Sequence, residues 1–185
     1  MLDPMEFKRV IKGGDYSKRM KKFAIILSAL ILLGCAQSHP TAHVGINATN
    51  VTPNEIMGMR KLVCVTGKPA LEMVKEMHIG KIRYVKDIAL MHYIGNNSSR
   101  FVVVWVTVYP NSSVAMEETR RMAKAMIDFG WKDVRTMKVG DLTVYYVTPP
   151  GKNETHYFWC RDSVMIYIIP KGLNETQVKE FIRKL

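Results

Sequence analysis

Little in this sequence advertises chemistry, and each shortage removes a class of protein. Three cysteines in 185 residues exclude the disulfide-dense scaffold of a small secreted domain. No Cys-x-x-Cys pair or Cys/His spacing suits a zinc site. No Gly-x-Ser-x-Gly elbow surrounds any serine, Ser163 included. Gly67-Lys68 lacks the glycine-rich lead of a phosphate loop. There is no internal repeat and no low-complexity tract. Charged residues are only 23% and apolar ones 48%, which excludes a chain disordered throughout and supplies one domain with a core. Long apolar runs are missing too. The longest extends from Phe23 to Leu33, and with Gly34, Cys35 and Ala36 it reaches about 21 Å as a helix. A hydrocarbon core is about 30 Å thick, so this is a poor membrane span.

What is present around that run reads as an address. Lys18, Arg19, Lys21 and Lys22 precede it as a cationic flank, the order found in export leaders. It closes on Leu32-Leu33-Gly34-Cys35, which resembles the lipobox of prokaryotic lipoproteins. The resemblance implies a signal peptide over 20–35, diacylation of Cys35, and anchoring of the mature protein to membrane lipid. Two acyl chains suffice for stable anchoring where one is marginal. Cleavage after the small-x-small triplet Gly34-Cys35-Ala36, or retention as an uncleaved anchor, are the alternatives; all three place residues 37–185 outside the cytoplasm. Residues 1–19 have no apolar periodicity, and Met20-Lys21-Lys22 would itself open a conventional leader. They read as an unstructured extension or an upstream mis-assigned start.

Two further features point to the same compartment. Seven of the eight asparagines stand in Asn-x-Ser/Thr: Asn47, Asn50, Asn96, Asn97, Asn111, Asn153 and Asn174. Each is an N-glycosylation acceptor pattern of exposed loops in exported proteins. Together with the lipobox they suggest an archaeal cell surface, where such leaders and N-glycans coexist. Setting Cys35 aside leaves Cys64 and Cys160. An even pair in an oxidising compartment reads as a disulfide, with two buried thiols as the alternative. Net charge is +11. Residues 1–34 contribute seven basic against three acidic groups (+4), and the rest twenty against thirteen (+7). A basic mature domain is drawn to anionic head groups or is simply a solvated surface. Nothing points to nucleic acid.

Along the mature chain, 36–51 reads as a polar tether and 52–185 as a single α+β domain. Thr52-Pro53-Asn54-Glu55 has the pattern of a capping box opening a short helix through Met59. A second helical piece covers 69–77. Strands are expected over 82–94, with Ile88, Leu90 and Ile94 on one face, and over 101–109, with Val102, Val104, Val106 and Val108 on one face. FVVVWVTVY is apolar on both faces and reads as a central strand. Met122, Ala125, Met126 and Phe129 recur at helical spacing within 114–129. A meander comes next, over 132–138, LTVYYVT, THYFWC and SVMIYII. Asn174-Glu175-Thr176-Gln177 then caps a last helix with Val178, Phe181, Ile182 and Leu185 on one stripe. The expected fold is α+β, a mostly antiparallel curved sheet with helices packed on one face. The C-terminal stretch YFWCRDSVMIYIIPKGLNETQVKEFIRKL resembles the ending of uncharacterised extracytoplasmic lipoprotein domains, which implies exported location and architecture but no active site.

Residues suited to catalysis or metal are few. His39 and His43 flank Pro40, which opposes a shared helical face. His92 lies in a strand on the face of Leu90 and Ile94, where it reads as a satisfied half-buried histidine, and His78 and His156 form no pattern. Met57, Met59, Met73, Met77 and His78 could suit Cu(I), but methionine at helical spacing is gap-filling core. Glu117 and Glu118 read as solvated charge. Tyr145, Tyr146, Tyr157, Phe158, Trp159 and Tyr167 either line a cleft or pack the sheet. No cofactor or metal is implied. The expectation is a lipid-anchored, glycosylated surface domain that binds an envelope protein or small-molecule ligand and is not an enzyme. The alternative is an extracytoplasmic hydrolase assembled from distant strands.

Overall fold

The computed structural model describes residues 46–77, 82–96, 99–131 and 133–185. The expected extension, the leader with Cys35, most of the tether, His39, His43, His78 and Asn97 lie outside them. Among the described residues, eight strands form one open antiparallel sheet: β1 (Glu55–Ile56), β2 (Met59–Thr66), β3 (Asp87–Gly95), β4 (Phe101–Val108), β5 (Arg135–Val139), β6 (Leu142–Val147), β7 (His156–Arg161) and β8 (Val164–Lys171). Their spatial order is β1-β2-β3-β4-β8-β7-β6-β5. Helix α1 (Gly67–Met77) joins β2 to β3. Helix α2 (Ser112–Asp128) carries the chain from β4 to the far edge, and α3 (Glu175–Lys184) comes after β8. From β5 the chain meanders back strand by strand until β8 pairs with β4, matching Val104 to Ile168 and Trp105 to Tyr167.

Alternation sorts the side chains between two faces. On β3, Ala89, Met91 and Tyr93 join the core that α3 seals with Val178, Phe181, Ile182 and Leu185. The intervening Ile88 and Leu90 meet Ala70 and Val74 of α1. The helices are therefore divided between the faces and not gathered on one, because β3 and β4 are apolar at consecutive positions and both sides need cover. Helix α2 lies over β7 and β8, on the side of α1: its buried Ala115, Thr119, Met122, Ala123 and Met126 take no part in the α3 cluster. Phe181 meets Tyr93 edge-on at 5.2 Å between centroids. Asn174 and Gln177 close a capping box at the start of α3, and Asn111 caps α2 by accepting the Val114 N–H.

The segment 52–59 is not a helix. Glu55–Ile56 pairs with Met59 and Arg60 across a two-residue turn in which Met57 (φ 53°) and Gly58 (φ 72°) are both left-handed. That is the backbone of a hairpin turn whose twist matches the flanking strands. Thr52, expected as the cap, is buried against the Met91 sulfur. The domain also begins earlier than 52. Ala48 is fully buried and its N–H donates to Asp87 Oδ2 at 2.8 Å. Lys61 Nζ donates to the carbonyls of Thr49 and Thr52 at 2.8 and 2.7 Å, and burial lowers its pKa. The last residues of the expected tether are thus stitched to the α3 face of the sheet.

Candidate functional site

The aromatic residues of the meander divide by strand alternation. Tyr146, Tyr157 and Trp159 point to the α3 face, while Tyr145, Phe158 and Tyr167 point to the other, where Trp105 of β4 continues the row. Neighbouring rings touch across four adjacent strands: Tyr145 to Phe158 at 5.1 Å, Phe158 to Tyr167 at 5.9 Å, and Tyr167 to Trp105 at 5.6 Å. Phe158 is fully buried and Tyr167 nearly so, whereas Tyr145 and Trp105 are half-buried. Most of this aromatic surface is spent on packing.

Under that row runs a polar chain. The Tyr167 hydroxyl meets His156 Nδ1. His156 Nε2 faces Glu154 Oε1 at 3.8 Å, and Glu154 Oε2 lies 3.3 Å from Lys171 Nζ. Burial lowers the His156 pKa against the pull of Glu154, so the ring is neutral at pH 7. The consistent proton arrangement has Tyr167 O–H donating to Nδ1 and the Nε2–H directed at the carboxylate. At 3.8 Å that second contact exceeds a hydrogen bond, and its attraction is electrostatic. His156 and the Lys171 ammonium hold Glu154 down to about 2 despite its partial burial. Burial drives the Tyr167 phenol well above its ordinary range. Trp131 closes over His156 edge-on at 5.9 Å, and the Trp131 indole N–H and His156 Nε2 are both buried without a hydrogen bond. The chain descends from the surface at Lys171 into the core, tying the β6–β7 loop with its Asn153 sequon to β8.

Near the opposite edge of the sheet, Cys64 Sγ lies 3.4 Å from His92 Nδ1. His92 shares the face of Leu90, as expected, but is buried and not half-buried, edge-on to Phe101 at 4.7 Å, and burial lowers its pKa. Cys160 is on β7. Three strands separate it from Cys64, so at about 4.8 Å per strand the two stand about 19 Å apart. A disulfide spans at most about 7 Å between Cα atoms, and this sheet order does not bring the expected pair together. Glu118 also departs from expectation. It is buried, with Arg121 one turn on as its ion-pair partner. Burial raises its pKa and Arg121 opposes the rise.

No family model matches the chain. No curated protein matches it either.

The sequon asparagines gather outside regular structure. Asn47, Asn50, Asn96, Asn111, Asn153 and Asn174 lie in turns, loops or helix caps; Asn47 is half-buried and the other five are exposed. Thr49 donates both its N–H and its hydroxyl to Asn47 Oδ1, at 2.8 and 2.6 Å. Met57 packs against the α3-face core and Met73 against the α1 cluster, while Glu117 is exposed. Among the described residues no three His, Cys, Asp or Glu side chains are grouped to hold a metal, and no helix is long and apolar enough to cross a membrane. The His156 chain and the Cys64–His92 contact are invisible in sequence, because each joins residues made adjacent by strand register or by a fold in one strand.

Proposed function

We propose that this chain is a lipid-anchored, N-glycosylated domain of an archaeal cell surface that binds an envelope protein or a small-molecule ligand. The lipobox-like Leu32-Leu33-Gly34-Cys35 supplies the anchor. The observation that carries the reading is the surface position of the acceptor asparagines. A glycan needs a solvated side chain on a loop or cap, and five of the six described acceptors are exposed at such positions. Two of them, Asn111 and Asn174, use only Oδ1 for capping, which leaves Nδ2 open to a sugar.

Mass spectrometry of the protein from a native membrane fraction tests the whole reading. The expected product starts at a diacylated Cys35 and bears hexose-containing adducts at several sequons. A cytosolic product without lipid or glycan refutes it.

A further inference from the structure

Strand β2 is out of register at one place. Val63 pairs with Met91 and Val65 with Leu90, so two consecutive positions of β3 face three of β2, and Cys64 is the extra residue. Such a bulge turns a side chain away from where regular alternation would aim it. Here it brings the half-buried thiol to His92 Nδ1 at 3.4 Å, although the direct cross-strand partner of His92 is Leu62. The sulfur also lies 3.6 Å from the Leu62 carbonyl oxygen. Beyond Arg60, no strand among the described residues pairs with the outer edge of β2, and the thiol is half-buried and not sealed in the core.

We infer that Cys64 is a nucleophilic thiol that exchanges with low-molecular-weight disulfides, with His92 as its general base. A thiol attacks only as thiolate, and a neutral imidazole at contact distance takes the proton as the bond forms. The step balances without an outside oxidant or reductant. Cys64 S–H passes its proton to Nδ1 while Sγ attacks one sulfur of the incoming disulfide. The S–S bond breaks, the departing thiolate takes the proton from the imidazolium, and a mixed disulfide remains on Cys64 with one thiol released. Phe101, edge-on to the ring, and the walls around buried His92 keep the imidazole aimed. Cys160 is the internal control, being half-buried on another strand of the same molecule.

The test exposes the full-length chain to limiting hydroxyethyl disulfide, a neutral probe, and tracks the adduct on each cysteine peptide by mass spectrometry. At pH 7 Cys64 is expected to react about tenfold faster than Cys160. That advantage should shrink as pH falls and His92 becomes protonated. His92→Gln or His92→Phe should bring Cys64 to the rate of Cys160 and leave Cys160 unchanged. Unfolding the wild-type chain in urea should equalise the two rates, which serves if neither variant folds. Equal rates in the native chain, a Cys64 advantage that survives loss of His92, or one that persists in urea would each overturn the assignment.

Discussion

Substituting Gly172 tests how the C-terminal end of the chain is fastened to the β3–β4 hairpin. Gly172 comes directly after β8 with φ +70°, and a Cβ built there falls 1.9 Å from the Ser99 carbonyl oxygen in the β3–β4 hairpin. Gly172→Ala therefore carries two costs. The left-handed backbone costs about 1 kcal/mol for any residue with a Cβ. The clash is with backbone and not with a side chain that could swing aside, so the loops must separate, at about 1–3 kcal/mol by analogy with overpacked cores. Gly140→Ala is the matched control: its φ is +60° and no atom lies within 4 Å of the added Cβ, so only the first cost applies. With a urea m-value of about 2 kcal/mol/M, Gly140→Ala should lower the midpoint by about 0.5 M and Gly172→Ala by about 1–2 M. Equilibrium unfolding of the full chain, monitored by tryptophan fluorescence, reads both. A midpoint for Gly172→Ala no lower than that of the control would refute the close approach of these loops, and with it the placement of α3 relative to the hairpin.

The same contacts set further outcomes. Phe181→Ala removes the fully buried ring that meets Tyr93 and should cost about 3–5 kcal/mol in the same assay. Asn174→Ala breaks the capping box and should cost about 1 kcal/mol, whereas Asn174→Asp should hold within about 0.5 kcal/mol of wild type because an acceptor oxygen remains. In the native host both variants should lose the same glycan mass. The melting temperature should fall as pH drops from 7 to 5: His92 and His156 both have folded-state pKa values below 6.5, so the unfolded chain binds the extra protons. A second decline should run from about 4.5 towards 2 as Glu154 is protonated. A flat profile between pH 7 and 5 would contradict the buried, neutral imidazoles. Oxidation of the folded chain should yield no Cys64–Cys160 crosslink, read by intact mass and peptide mapping.

Periodicity reveals much of this fold because most elements are long and locally consistent. FVVVWVTV reads as a strand covered on both sides, and it is β4, flanked by β3 and β8. The stripe Val178, Phe181, Ile182 and Leu185 reads as the buried face of a helix, and it is. The failures have equally local causes. Thr52-Pro53-Asn54-Glu55 satisfies the pattern of a capping box, but Met57-Gly58 turns the chain two residues later and β2 claims the residues from Met59 onward. Glu118 looks solvated in sequence because the burial beneath α2 is a tertiary fact, whereas its pairing with Arg121 three positions on is local to the helix. Which sheet face each helix covers depends on strand order. So does the distance from Cys64 to Cys160, which counting residues along the chain could not supply.

The pairing of β4 with β8 has a consequence for how this chain matures. Val104 and Ile168 are separated by 64 positions, so the strongest β-forming segment of the sequence is made long before its outer neighbour. Until β8 arrives, FVVVWVTV offers an unsatisfied, uncharged ribbon to any other chain with a matching edge. Docking it demands the prior laying down of α2, β5, β6 and β7, a distant closure that slows folding. A product truncated before Val164 would keep that ribbon bare permanently, and such fragments should be the insoluble ones.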